Sequence, residues 1–481
     1  MIDLQLFFPP YSREFRYPEL GIPQLTAYLA GKGFSVRQKD LNVLVCGTAA
    51  PAAAPDTARF WSPPLKANSR LWNLRDERYP LKAVLKRVSA PSPFYEEFYA
   101  RHVRPAAAGA ALAGFSVLAI DQLLPALYFS ARLRAEYPGM KTCLGGPWVS
   151  ASWDALPSWP ELFDHADYLI GFAGEIPLEQ LLRHMKGELP LAAVSALARR
   201  RGGKVLRSAV KPGPPLEELP APVLDGFDLD AYRVRCLPYQ TTRGCEWGRC
   251  VFCYHVFPGN APASKSPAKI LRELKDLSRR HKVKDFYFAD LATPVELLES
   301  LAAGLGRLKV SWSALARANP KFTPALAGKL RRAGCDWLFF GLETADAKSL
   351  RALKKGISLE TLDANIRACG AAGVNVGLFI LNYPGQPAGE FKDTLLYGLK
   401  RADHLAELAV ARFEMGRWMK GRPGLGGRLA AGADKDLNSF SLPYLGAGVT
   451  SGKFRELAGP ALEAFNRIVR SQKRGFGSVH K

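Results

Sequence analysis

Gln240-Thr-Thr-Arg-Gly-Cys245-Glu-Trp-Gly-Arg-Cys250-Val-Phe-Cys253-Tyr254 decides how the rest of the chain is read. Three cysteines fall within nine residues, separated by four residues and then by two. Tetrahedral zinc takes four ligands, and no fourth cysteine stands nearby; His255, two positions past Cys253, is too close for zinc-finger spacing. Three thiolates on one tight loop suit three corners of a [4Fe–4S] cluster, which draws Cys ligands from closely spaced motifs. The fourth iron then has no protein ligand and is open to a small molecule. Cys245, Cys250 and Cys253 are therefore the candidate metal ligands. A zinc knuckle or a loop of reduced thiols is the competing reading.

Working outward, the chain has 481 residues, too many for one ordinary core, and two or three domains are expected. Hydrophobic residues make up 48%, a globular and not a disordered composition. The other five cysteines, Cys46, Cys143, Cys236, Cys335 and Cys369, are scattered and read as core or surface residues, not as a disulfide framework. Met1-Ile-Asp-Leu-Gln has neither the basic nor the long apolar region of a signal peptide. The apolar run from Ala106 to Ile120 is too short for a bilayer, which takes roughly 20 residues. A cytoplasmic protein with no membrane partner is expected. The net charge of +22 raises the question of nucleic acid, but the basic residues are scattered and no recognisable nucleic-acid module accompanies them. Generic solvated surface is the preferred reading.

Upstream of the cysteines the pattern is strand, helix, strand. Ile2 to Phe8 reads as a buried strand, Pro18 to Ala30 as a helix closed by Gly31-Lys-Gly33, and Phe34 to Asp40 as a second strand. This is a βαβ unit. An aromatic-rich insertion follows, about residues 46–108, with Phe60, Trp61, Trp72, Phe94, Tyr95 and Phe98; packing in the core is their expected use. The alternation then resumes, with strands at Ala111 to Ile120, Lys141 to Leu144 and Tyr168 to Ile170. An open, doubly wound, Rossmann-like parallel domain over residues 1–186 results, of the kind that binds ligands beyond the carboxyl ends of its strands. Gly145, Gly146, Gly174 and Glu175 sit there, and glycines let a backbone approach a bulky ligand. They also occur simply as turns. Residues 187–235 read as a linker with a short hairpin.

Downstream, residues 236–415 repeat strand and helix six times, a partial (β/α)6 TIM-like barrel. Active sites of such barrels lie at the carboxyl ends of the strands. Those ends carry the cysteines, Asp290, Arg317, Glu343 and the turn Asn382-Tyr-Pro-Gly385-Gln386. Each alone could be a helix cap or a surface ion pair; their recurrence is harder to assign to packing. Residues 416–481 read as a small α-rich extension with a helix from Pro460 to Arg470.

The cysteine segment, with Gly244 before the first cysteine and Phe252 before the last, resembles the radical S-adenosylmethionine (SAM) superfamily. The usual spacing there has three residues between the first two cysteines; this chain has four. The resemblance implies a [4Fe–4S] cluster whose open iron chelates the amino and carboxylate groups of SAM. It implies that Asp290, Arg317 and Glu343 hold the polar groups of SAM, with Gly385 beside its adenine. Pro9-Pro10, Pro18-Glu-Leu-Gly-Ile-Pro, Leu144-Gly-Gly-Pro147, Gly174-Glu175 and Leu216-Glu-Glu-Leu-Pro-Ala-Pro resemble the cobalamin-binding domain and linker that precede the core in one class of that superfamily. The Asp-x-His-x-x-Gly that gives a histidine to cobalt in cobalamin-dependent mutases is missing. A corrin held without histidine on cobalt is implied; a domain that kept the fold and lost the cofactor is the alternative.

The implied activity is hydrogen abstraction from an unactivated carbon by a 5′-deoxyadenosyl radical, with methyl transfer through methylcobalamin. Cyclisation, ring contraction or another rearrangement is the first alternative. An iron–sulfur protein that binds nucleic acid or senses is the second, resting on the charge alone. The expected partners are a small-molecule or peptide substrate and a one-electron reductant such as flavodoxin or ferredoxin.

Overall fold

The computed structural model describes residues 2–11, 17–46, 81–232, 234–253, 255, 261–419, 428–429, 441–442, 444–445 and 448–476. Ile2–Phe8 (β1) and Val36–Asp40 (β2) pair in parallel across the helix Gly21–Gly31. Ala110–Ser116 (β3), Lys141–Gly145 (β4) and Tyr168–Ile170 (β5) extend the sheet in parallel on the other side of β1. β1 is an interior strand, paired on both sides, which is why its apolar residues run on where an edge strand would alternate: Leu4 and Phe7 face opposite sides and both are fully buried. One face carries Phe7, Phe115, Phe129 and Trp148; the other carries Leu4, Leu6, Ile22 and Leu181.

The insertion covers the first of these faces. Among its described residues, Tyr95, Phe98 and Tyr99 are buried, with Tyr95 against Tyr128 and Phe98 stacked on Phe129. The expected core role therefore holds for them; Phe60, Trp61 and Trp72 lie outside the described residues. The sheet also runs past residue 186. Leu197–Arg201 (β6) and Lys204–Arg207 (β7) form a hairpin that pairs antiparallel with β5, giving seven strands in the order β2-β1-β3-β4-β5-β6-β7. The hairpin read as part of a linker belongs to this sheet because β5 offers it an unpaired edge.

Cys236–Tyr239 (β8) opens the second sheet. Thr242–Arg243 (β9) then pairs antiparallel with Ala263–Ser264 (β10). Asp285–Phe288 (β11), Ser311–Ala316 (β12), Cys335–Glu343 (β13), Asn375–Asn382 (β14) and Glu407–Arg412 (β15) complete a parallel sheet in the order β15-β14-β13-β12-β11-β8. Each crossover adds the next strand on the same side, and β8 and β15 remain as edges, so the wall is a partial TIM-like barrel. Ser266, Thr323 and Ser358 cap the crossover helices through Lys269 N, Leu326 N and Thr361 N, with Pro267 and Pro324 in the first turn. These caps fix where each strand-end loop stops.

Two features differ from the sequence expectation. A short helix, Ala347–Ala352, follows β13, capped by Asp346 through Ser349 N. The C-terminal helix spans Ser451–Phe476 and not Pro460–Arg470, with Pro460 in its interior. Packing holds it there: Phe454 stacks on Phe391 at 5.5 Å, and Phe465 and Val469 are buried in the barrel core. Proline costs an interior hydrogen bond, and this burial offsets it.

The strap between the sheets is rich in proline yet bonded to both. Gln38 Nε2 donates to Val223 O at 2.6 Å, Tyr232 OH donates to Asp40 Oδ2 at 2.5 Å, and Ser266 N donates to Glu217 at 2.7 Å. Among the described residues no helix is long and apolar enough to cross a membrane.

Candidate active site

The cysteine loop leaves β9 and returns through β10, so its two ends are tied at one short ladder. Asp290, just past β11, pins that base. Its carboxylate accepts from Thr241 N and Thr242 N, both at 2.9 Å, from Thr293 Oγ1 at 2.7 Å, and from Thr241 Oγ1. Burial pushes the Asp290 carboxyl up, and these four donors pull it back down. Asp290 was expected to hold a polar group of a ligand; its visible contacts are four protein donors on a carboxylate that is only 4% exposed, and they brace the loop base. A second support was not read from the sequence. Lys265, fully buried, bonds Glu273 at 2.9 Å, and Tyr239 OH donates to the same carboxylate at 2.5 Å. Lys265 N also donates to Thr241 O at 2.9 Å.

The three thiols are half-buried and lie within electrostatic reach of one another. Burial raises Cys250 and pushes Cys253 up to about 11, while the Lys355 ammonium pulls both down. Thiolates are the metal-binding form, so a bound cation would complete what Lys355 begins. Among the described residues no three His, Cys, Asp or Glu side chains close on a single point as ligands of one ion would. A cluster asks for no such point, since each thiolate binds a different iron.

The end of β13 meets this loop. Glu343 has φ +65°, a left-handed backbone uncommon outside glycine, at a register shift between Gly341 and Glu343. Such strain persists where the surroundings over-determine it. Here Lys355 Nζ bonds Glu343 Oε1 at 2.6 Å, and the two side chains are only 11% and 10% exposed. A side chain on Gly341 would run into both charged groups, so this glycine clears the space they fill. The Lys355 ammonium also lies 5.6 Å from the centre of the Phe252 ring, between Cys250 and Cys253. Lys355 was missed in the sequence; the only trace was a lysine pair on the turn after the short helix.

Trp247, within the longer cysteine spacing, docks on that same turn. Its Nε1 donates to Lys354 O at 2.7 Å, and any side chain on Gly356 would strike its ring. Arg317, at the end of β12, lies 4.8 Å over the Trp247 ring and donates to Lys355 O at 2.7 Å. Arg317 thus touches the cysteine loop, with its visible contacts spent on tying loop to turn.

Gly385 has φ +82° in the turn after β14, where Gln386 N donates to Tyr383 O at 3.2 Å. Glu390 unites this turn with β13: it accepts from Tyr383 OH and Thr344 Oγ1, both at 2.6 Å, and from Gln386 Nε2 at 3.1 Å. Glu390 was likewise missed, being a helix residue with no motif around it.

At the strand ends of the first sheet one glycine is tightly packed. Gly146 has φ +94°, and a Cβ there would lie 2.7 Å from Val117 O. A Cβ on Gly145 would meet Ile170 O at 3.4 Å, and one on Gly174 would meet Leu25 at 3.3 Å. The close approach to Val117 accounts for a glycine at Gly146, while the neighbours of Gly145 and Gly174 are at or near ordinary contact. Glu175 is buried, its carboxyl raised by that burial and lowered by Arg243. Arg243 stands two residues before Cys245 and donates to Pro214 O at 3.0 Å. The ends of the first sheet therefore face the base of the cysteine loop. Among the described residues no histidine lies at the carboxyl ends of β1, β3, β4 or β5.

Residues 239–397 match the model of the radical SAM superfamily. An uncharacterized methyltransferase of Pyrococcus horikoshii, PH0819, is 25% identical over 257 residues, 51% of this chain and 55% of that one. The 4′-phospho-dehydrooxetanocin synthase of Priestia megaterium is 25% identical over 48% of this chain and 35% of its own length. The chain thus spans about half or less of the length of these curated relatives. Among solved structures, the cobalamin-dependent radical enzyme OxsB with aqua-cobalamin and SAM bound has TM-score 0.66 and 18% identity, over 95% of this chain and 66% of that one. The radical SAM methyltransferase TsrM from Kitasatospora setae, with tryptophan and a SAM analogue, has TM-score 0.64 and 16% identity, over 96% and 88%. At these identities the two structures establish the shared fold.

Proposed function

Because the chain carries a radical SAM superfamily domain over residues 239–397, we propose that it is a cobalamin-dependent radical SAM enzyme that methylates an unactivated carbon. The observation that carries this reading is the meeting of the cysteine loop with the Glu343–Lys355 pair at the mouth of the barrel. Bound there, a [4Fe–4S] cluster with SAM would supply a carbon-centred radical, and a cobalamin a methyl group; the protein positions them.

The chain's own residues divide that work. Cys245, Cys250 and Cys253 hold the metal. Glu343 offers a carboxylate suited to an ammonium, and Lys355 an ammonium suited to a carboxylate; SAM carries both groups. The turn around Gly385 presents backbone to a flat base, its shape fixed by Glu390. Asp290 and Lys265 keep the loop base closed, and Trp247 seals the side against water. The ends of the first sheet, facing Arg243, would make the cobalamin side; with no histidine there among the described residues, packing and backbone hydrogen bonds would hold the corrin.

The test uses SAM with an isotopically labelled methyl group, a reductant and candidate substrates. Labelled product and 5′-deoxyadenosine are expected, both lost with the iron when the three cysteines become alanine. Reductant-independent SAM consumption, or none, overturns the radical reading. A relative named as a synthase keeps rearrangement as the second reading; a product that is altered yet unlabelled selects it.

A further inference from the structure

Four successive carbonyls of one turn are each bonded, and two of the donors come from the cysteine loop. Leu353 O accepts from Val251 N at 3.1 Å, and Lys354 O accepts from Trp247 Nε1 at 2.7 Å. Lys355 O and Gly356 O accept from Arg317 Nη2 at 2.7 and 3.3 Å. The two neighbours of Lys355 in this turn both have left-handed backbones, Lys354 with φ +52° and Gly356 with φ +66°. In a lysine that conformation is uncommon, and it persists where the surroundings over-determine it. The Lys355 backbone is thus held from both sides and from below, while its side chain ends on Glu343 at 2.6 Å.

Trp247 is the long arm of this arrangement. Four residues stand between Cys245 and Cys250, and Gly248, at φ +56°, turns the chain back directly after the tryptophan. The half-buried indole fills the space that a side chain on Gly356 would need, with Arg317 4.8 Å and Arg249 5.0 Å from its ring centre. Closure of the loop does not require this anchor, because the β9–β10 ladder and Asp290 already tie its base. The anchor acts on the turn. Glu343 is fixed in a similar way by its own left-handed backbone at the register shift of β13. Two opposite charges that satisfy each other, on two backbones that cannot move, suit a ligand carrying both charges: each side chain exchanges one partner for another.

We propose that Trp247 is a positioning residue for SAM. It fixes the turn 353–356 to the cysteine loop, and so sets the Lys355 ammonium at a constant reach from the cysteines, where it receives the carboxylate of SAM. This rests on the function proposed above. In this role Trp247 acts through Lys355 and not by contact with SAM. A site preorganised in this way spends less of its binding energy on ordering its own groups.

The test uses the full chain reconstituted with iron and sulfide, beside two variants. Trp247→Phe keeps a ring and loses the Nε1 donor; Trp247→Ala loses both. Each is titrated with SAM and with decarboxylated SAM, which has the ammonium and lacks the carboxylate. Iron content should match the parent in both variants. The Kd of SAM should rise about tenfold in Trp247→Ala, the usual size of one hydrogen bond to a charged group, and by less in Trp247→Phe. The Kd of decarboxylated SAM should not change. Parent-like SAM affinity in Trp247→Ala overturns the role. Equal weakening of both probes overturns it too, and moves the effect of Trp247 away from the carboxylate. Loss of iron together with SAM overturns it in favour of a part in folding the loop. A parent chain that takes up no cluster, or binds no SAM once it has one, overturns the proposed function instead, and the role of Trp247 falls with it.

Discussion

At the strand ends of the barrel, charged side chains are tied into the surrounding protein; at the strand ends of the first sheet, the conspicuous residues are glycines, of which Gly146 is pressed against backbone. Both regions looked alike in sequence, as polar or small residues just past apolar strands. In the barrel, Asp290, Glu343 and Arg317 each sit in a web of protein contacts that shapes the cysteine loop. In the first sheet, Gly146 lets the chain pass close to the backbone of Val117. The first region is preorganised by electrostatics and the second by close packing. Substitutions should therefore fail in different ways in the two regions.

The largest effect is expected at Asp290. Asp290→Ala leaves two buried amides and two hydroxyls without their acceptor. At about 1–3 kcal/mol for each unsatisfied group, the loss should be about 4 kcal/mol or more. Urea unfolding should show it, and iron uptake should fall with it although no ligand has changed. Parent-like stability would mean that the loop base is held elsewhere, and the contrast between the two regions would weaken.

Lys355→Met comes next. It strands the Glu343 carboxylate, buried and on a strained backbone, and breaking one side of such a pair costs about 3–5 kcal/mol. The double variant with Glu343→Gln should recover much of that stability, because no charge is then left alone. A double variant no more stable than Lys355→Met would show that the pair is not coupled.

The six strand–helix units were legible because their apolar periods, prolines and caps are local signals, and Ser266-Pro267 and Thr323-Pro324 mark helix starts in the sequence itself. The cysteines were legible because their spacing is the motif. What escaped depends on tertiary contact. Lys355 meets Glu343 across a bulge and a short helix, and neither feature has a period to read. Glu390 gathers four partners from three other segments. Asp290 is at a strand end, as read, but position along the strand does not say whether a carboxylate serves a ligand or the backbone beside it. The hairpin β6–β7 was seen as a hairpin, and its sheet was missed because an open edge on β5 is invisible from the hairpin's own residues.

Asp40 lies where the first sheet meets the strap to the barrel, accepting from Tyr232 OH and from Asn42 N. Burial pushes its carboxyl from 3.8 to about 6. The unfolded chain therefore loses this proton first as pH rises, and the folded state loses stability between about pH 4 and pH 6. A shift of that size corresponds to about 3 kcal/mol. Asp40→Asn removes the titration. The stability of the variant relative to the parent should climb through that window and level off above it. A difference that does not vary with pH would show that the seam tolerates the charge.

The smallest expected effect separates the two regions most cleanly, because it uses the same substitution in both. Gly146 and Gly385 each have a left-handed backbone, φ +94° and +82°. The intrinsic penalty of alanine is about 1–2 kcal/mol for a left-handed residue and is at least as large at Gly146, whose ψ of −177° puts it in a region essentially reserved for glycine. Their surroundings differ. At Gly146 the added methyl would lie 2.7 Å from Val117 O and 2.9 Å from Val117 N, and backbone has little freedom to give way. At Gly385 the described residues leave open space for 4 Å around the same methyl. Gly385→Ala should therefore lose only the intrinsic penalty, while Gly146→Ala should lose about 1–3 kcal/mol more, the usual cost of overpacking. Thermal unfolding of the two variants beside the parent measures the gap. Binding then supplies the other half of the comparison. Cobalamin affinity of Gly146→Ala, measured well below its unfolding temperature, should fall no further than the fraction of unfolded chain requires, since the glycine answers to Val117. SAM affinity of Gly385→Ala should fall by more than its small loss of stability explains, since the open side of that turn is the side proposed to meet the ligand. The reverse pattern, with cobalamin binding abolished in a folded Gly146→Ala chain and SAM binding untouched in Gly385→Ala, would exchange the roles of the two sets of strand ends.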